Sequence, residues 1–169
     1  MEVFEAVSTV LAVRTYQDTR VPDDLVRRVV EAGRLSASAG NQQPWHFIVV
    51  SKRDTVQRIG EIMTTGPYAS GASHVIAVMI VKDKRIAISD GSRAIQNMIL
   101  TAWSEGVGSN WIGFDHMPAI EELLGVPDTH QALAVLALGY PAEAIGRGRK
   151  KRKPMVEIAS REKFGVPFA

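Results

Sequence analysis

The chain has 169 residues, 46% of them apolar and 22% charged, with a formal net charge of +2 and no cysteine. A chain of this length buries roughly 70% of the surface that its unfolded form exposes, so a single core is expected. The composition excludes collagen, coiled coil and low-complexity disorder, and the lack of cysteine excludes disulfides, thiolate nucleophiles and Cys-ligated metals.

Val3, Phe4, Val7, Val10 and Leu11 recur at helical spacing and predict a first helix with a wide apolar stripe, ending near Val13. Val21-Pro22-Asp23-Asp24 opens a second helix, with an Asp as N-cap and Leu25, Val26, Val29 and Val30 on its buried face. A loop rich in small and amide residues, Ser36 to Pro44, leads into a strand from His46 to Val50, and Asp54 to Met63 reads as a third helix. Val75 to Val81 is a continuous apolar run, as expected of a mid-sheet strand buried on both faces. Asp90 is placed to cap a long central helix through Trp103, with Ile95, Met98, Ile99 and Ala102 inward and Gly106 as its stop. Ser109 to Phe114 reads as a short strand, Pro118 to Leu124 as a short helix closed by Gly125, and Gln131 to Leu138 as a last strand. This order fits an α+β sandwich with mixed strand directions, without internal repeats or a linker that would split residues 1–169.

Beyond Tyr140 the chain turns basic, with Arg147, Arg149, Lys150, Lys151, Arg152 and Lys153 close together, and ends in a tail that carries Phe164 and Phe168. Such a tail either packs on its own domain or embraces a partner subunit. The longest apolar run is too short to cross a bilayer and no secretory signal precedes it, so a cytoplasmic location is expected, without membrane association.

Much catalytic chemistry is missing. His46, His74, His116 and His130 form no i, i+4 pair, so no metal site is expected. The sequence has neither a Gly-x-Ser-x-Gly elbow nor a nucleotide P-loop. Gly106-Val107-Gly108 begins like a dinucleotide fingerprint, but Trp111 stands at the third glycine and the segment precedes a strand. An enzyme so short of nucleophiles and bases needs a cofactor to supply reactivity.

Three segments supply the missing context. They are Ala12-Val13-Arg14-Thr15-Tyr16, then Ser36-Ala37-Ser38-Ala39-Gly40-Asn41-Gln42-Gln43-Pro44-Trp45-His46-Phe47, then Gly106 to Asp115 continued by Leu138 to Glu143 and Arg152-Lys153-Pro154. Together, and in this order, they resemble the nitroreductase family over essentially the whole chain. The resemblance implies a three-layer α+β sandwich with a central mixed sheet, an interlocked homodimer joined through the helix around Ile95 to Trp103, and an exchanged arm at residues 141–169. It also implies FMN as cofactor, with no side chain acting as acid or base.

By the same resemblance, Arg14 is the cation beside N1 and O2 of the flavin, where charge accumulates on reduction. Ser38 approaches from the partner subunit, Asn41 and Gln43 offer amides to the polar ring edge, and Gly113 lets the backbone come close. Lys150 and Arg152 meet the phosphate. Taken singly, these residues also read as a surface arginine, an amide-rich turn, a strand bend and a solvated basic face; Trp45 reads as core. The chain departs from the family at Val10-Leu11-Ala12, where an Arg-Arg-Ser would bring a phosphate cation and a hydroxyl, and at Ala37, where the family has proline. The segment from Lys82 to Ser89 is short, which implies an open site. The expected activity is ping-pong electron transfer from NAD(P)H through FMN to a small acceptor such as a nitroaromatic or quinone. The alternative is a flavin carrier or sensor without efficient turnover. A nucleic-acid module ranks below both, because the basic run lacks interleaved aromatics.

Overall fold

In the computed structural model, which describes residues 1–113, 116–143 and 150–168, four strands form one sheet: β1 (Trp45–Val50), β2 (His74–Val81), β3 (Gly108–Ile112) and β4 (His130–Gly139). Their order across the sheet is β1-β2-β4-β3, so the continuous apolar run lies mid-sheet as its sequence requires. Because side chains alternate along a strand, β2 feeds two cores. Ile76, Val78 and Ile80 face a cluster built with α2 (Asp23–Arg34) and α4 (Arg85–Ser104). Val75, Ala77 and Met79 face a second cluster built with α3 (Arg53–Ile62) and α5 (Met117–Leu124). Helices on both faces of one sheet make the three-layer α+β sandwich. Each fully buried Ile, Leu or Met contributes roughly 1.5–3 kcal/mol by leaving water.

The strand directions differ from the mixed sheet expected: all three ladders are antiparallel. The cause is in the connections. Val50, where β1 ends, pairs with Val75 near the start of β2, so the excursion through α3 returns to the end of the sheet it left. Among the described residues, parallel pairing is confined to the isolated bridge between Ala12 and Ser109.

Three helix starts and ends also differ. The first helix, α1 (Val3–Thr9), stops before Val10, and Ala6 is its buried residue, whereas Val3 and Phe4 are 76% and 80% exposed. Its apolar stripe therefore faces away from the core. In α2, Pro22 takes the N-cap position without a side-chain cap, and Asp23 and Asp24 fall in the first turn, where carboxylates meet the positive end of the helix dipole. The central helix α4 begins at Arg85, not at Asp90, since residues 85–89 contain no helix breaker and Ala87 is buried in the core. Asp90 is thereby freed for another task. Buried in the helix, it accepts the Ala39 N–H at 3.1 Å and pairs with Arg93 at 3.2 Å, so it holds the loop after α2 against the helix. No helix among the described residues is long and apolar enough to cross a membrane.

The start of β2 carries a pH-sensitive contact. His74 is buried, its Nδ1 2.9 Å from Ser73 Oγ and its Nε2 3.5 Å from Asp23 Oδ1. The Asp23 carboxylate beside Nε2 favours the ring proton on that nitrogen, and Ser73 Oγ, which accepts the Val21 N–H at 2.8 Å, then donates its hydroxyl hydrogen to Nδ1. Burial lowers the His74 pKa from its ordinary 6.5, Arg20 adds to this, and Asp23 opposes it. Above that ordinary value neither the folded nor the unfolded chain is protonated here, and the contact is at full strength. As the pH falls below it, the unfolded chain takes up a proton that the folded chain resists, and stability declines. The melting temperature is expected to drop between pH 7 and pH 5, with His74→Gln losing part of that slope in calorimetric scans.

Candidate functional site

The residues that leave α1 run along the outer edge of β3. The Val13 N–H donates to Ser109 O at 2.9 Å, next to the Ala12–Ser109 bridge, and this places Arg14 at the sheet edge. Past the last strand, the arm returns to the same place. Lys150 Nζ donates to Val7 O at 2.6 Å, so a cation meets a carbonyl of the last turn of α1, where helix carbonyls lack partners and the dipole is negative.

Between α1, β3, α4 and the arm lies a groove of about 890 Å³. Arg14, Lys150, Arg152 and Lys153 line it, and no acidic residue does among those described. Phe4, Val7, Val10, Leu11, Ile99 and Trp111 supply its apolar surface. Burial lowers the Lys150 pKa, and the Arg152 charge lowers it further. An anion in the groove would oppose both effects by stabilising the charged amine. Arg14 is exposed and lies over the Tyr68 ring, 5.7 Å from its centroid, an arrangement that holds the guanidinium in place. The Tyr68 hydroxyl donates to Asn110 Oδ1 at 2.9 Å. The neighbouring Tyr16 donates to Val13 O at 2.8 Å, and burial pushes its phenol far above the usual value.

The structure thus brings Arg14, Lys150 and Arg152 together. It places Ser38, Asn41 and Gln43 outside the groove of their own chain, on the turn pinned by Asp90. That turn is preset: the Gln43 N–H donates to Ser38 Oγ at 2.9 Å and Gln43 Nε2 to Asn41 Oδ1 at 3.2 Å. Asn41 and Gln43 both adopt positive φ, 55° and 47°, which side-chain-bearing residues adopt only at a cost. Gly113 follows β3 outside the groove lining, and a Cβ there would come within 3.0 Å of Trp111 Nε1. Trp45 is half-buried and stacks on Phe47, their centroids 6.3 Å apart. Arg147 and Arg149 of the basic run lie outside the described residues, as do Phe114 and Asp115. Among the described residues, no group of three or more His, Asp or Glu is arranged to hold a metal.

Sequence reasoning missed Tyr68 and Asn110. Asn110 stood inside a recognised segment with no role attached, and nothing around Tyr68 in Gly66-Pro67-Tyr68 signals more than a turn.

The profile of the Nitroreductase family matches residues 11–84 and 80–140. The chain belongs to the nitroreductase family. A candidate NADH dehydrogenase/NAD(P)H nitroreductase of Archaeoglobus fulgidus is 33% identical over 153 residues, covering 84% of this chain and 87% of that protein. One of Methanothermobacter thermautotrophicus is 34% identical, covering 86% and 81%. A crystal structure of a similarly named protein from Parabacteroides distasonis superposes with a TM-score of 0.88 at 25% identity, covering 96% of this chain and 98% of that one. The fold is accordingly the nitroreductase fold. Because the family match ends at residue 140, Lys150 and Arg152 of this nitroreductase-family chain stand on the geometry of the groove.

Proposed function

We propose that this nitroreductase-family chain is an NAD(P)H-dependent oxidoreductase that holds FMN in the groove and passes electrons in ping-pong fashion to a small acceptor such as a nitroaromatic or a quinone. The observation that carries the reading is the convergence of Arg14, Lys150 and Arg152 on one groove with apolar surface and no acidic lining residue. That donor set fits FMN. A phosphate with a charge of roughly −2 calls for charge-assisted donors, which Lys150 and Arg152 offer. A flat ring calls for apolar contact, and its polar edge for a cation, which Arg14 offers. Bound flavin supplies the hydride and electron chemistry, and the protein supplies binding, orientation and electrostatics.

The working form in this reading is a homodimer in the cytoplasm. Exposed apolar side chains gather on α1 and on the arm, including Val3, Phe4, Met155, Val156, Ile158 and Phe164. A concentration of this kind marks a surface that is covered in the assembly. Residues 1–140 then form the body of one domain and 141–169 the arm, whose basic stretch stays on the groove of its own chain while its apolar end is exchanged with the second subunit. Ser38, Asn41 and Gln43, set on an ordered turn outside their own groove, serve the groove of the second subunit, and the backbone at Gly113 approaches the ring.

The absorbance spectrum of the purified protein tests this. Flavin bands that bleach rapidly with NAD(P)H under anaerobic conditions and return when a quinone is added are the expected result. A yellow protein that NAD(P)H leaves unbleached would be a carrier or sensor. A colourless protein that takes up no FMN would remove the reading altogether.

A further inference from the structure

Asn110 is only 4% exposed, yet it belongs to the wall of the groove. Its Oδ1 is engaged by the Tyr68 hydroxyl, and its Nδ2 has no hydrogen-bond partner among the described residues. A buried amide donor without a partner is rare in folded proteins and calls for an explanation. Ile112, two residues on and therefore on the same face of β3, sits in the second core cluster, whereas Asn110 belongs to neither cluster and lines the groove. Tyr68 links this amide to Arg14, since its ring lies under the guanidinium and its hydroxyl fixes Oδ1. Once Oδ1 accepts from Tyr68, Nδ2 is the atom left to serve a ligand.

We infer that Asn110, oriented by Tyr68, is a ligand-binding amide of this groove, donating from Nδ2 to a carbonyl oxygen or ring nitrogen on the polar edge of the bound ring system. The inference rests on the flavin reading and adds to it a residue to which the family resemblance attached no role. A donor aimed at an atom that gains negative charge on reduction holds the reduced ring more tightly than the oxidised one. Asn110 therefore tunes affinity and reduction potential together. Tyr68 acts through it, as a positioning residue.

The test uses full-length apo-protein, titrated with FMN and with riboflavin, followed by a redox titration of each complex. Asn110→Leu is expected to weaken FMN and riboflavin alike, by about tenfold, the value of one hydrogen bond, and to shift the midpoint potential to more negative values. Tyr68→Phe is expected to move both readouts in the same direction by less, and it provides the test if Asn110→Leu does not fold. Unchanged affinities and potential in the folded Asn110→Leu protein, whatever its melting temperature, would overturn the inference. Wild-type protein that binds neither ligand would instead overturn the flavin reading, a separate failure visible before any variant is made.

Discussion

A chain ended at Tyr140 is expected to lose its flavin and its dimeric state together. The cut removes Lys150, Arg152 and Lys153 and also Met155 and Ile158, so the groove loses one wall and three of its four cations at once. The remaining cation is Arg14. The cut also removes the Lys150 contact to Val7 O, which ties the arm to the last turn of α1. Phe4 and Val7, already exposed, would then have no covering segment from either subunit. The two core clusters and the side chains packed on them lie within residues 16–140, so the body of the fold is expected to survive. Gel filtration followed by absorbance reads the flavin, and sedimentation reads the assembly. The full chain should elute yellow and dimeric, and the truncated chain colourless and dissociated or aggregated. A truncated protein that stays yellow would place the phosphate site somewhere other than the arm.

Much of this fold was legible because hydrophobic periodicity is strong where burial is complete. The run at 75–81 reads as a two-face strand because both of its faces are in fact cored, and Ile95, Met98 and Ala102 read as an inner helix face because all three are buried. Legibility failed where a residue served two purposes. Asp90 has the chemistry of an N-cap, yet it is spent on the Ala39 N–H in mid-helix, a long-range contact with no local signature. Phe4 and Val7 have helical spacing, but spacing cannot tell a stripe that faces a core from one that faces a groove. Strand direction depends on where a connection returns, and periodicity carries no record of that. In the site, Arg14, Lys150 and Arg152 were found through family motifs, and the groove gathers them. Tyr68 and Asn110 meet across 42 positions, a pairing invisible to any local pattern.

The arm's role as phosphate anchor is the central claim, and it is open to a direct measurement. Val10 and Ala12 line the groove without bringing it a cation or a hydroxyl, so in the proposed reading the phosphate is expected to depend on Lys150 and Arg152. Of the two, Arg152 is the cleaner probe, because Lys150 also holds Val7 O. A charge-assisted hydrogen bond contributes roughly 1.5–3 kcal/mol, or about one to two orders of magnitude in affinity. Restoring a cation by Val10→Arg should tighten FMN in the opposite sense. Riboflavin, which lacks the phosphate, separates loss of the anchor from loss of the fold. Titrating FMN and riboflavin into apo wild type and apo Arg152→Ala yields four dissociation constants. FMN binding weakened about tenfold or more in the variant, with riboflavin nearly unchanged, is the predicted result; an equal loss for both ligands would contradict it and assign Arg152 to the ring or to the fold.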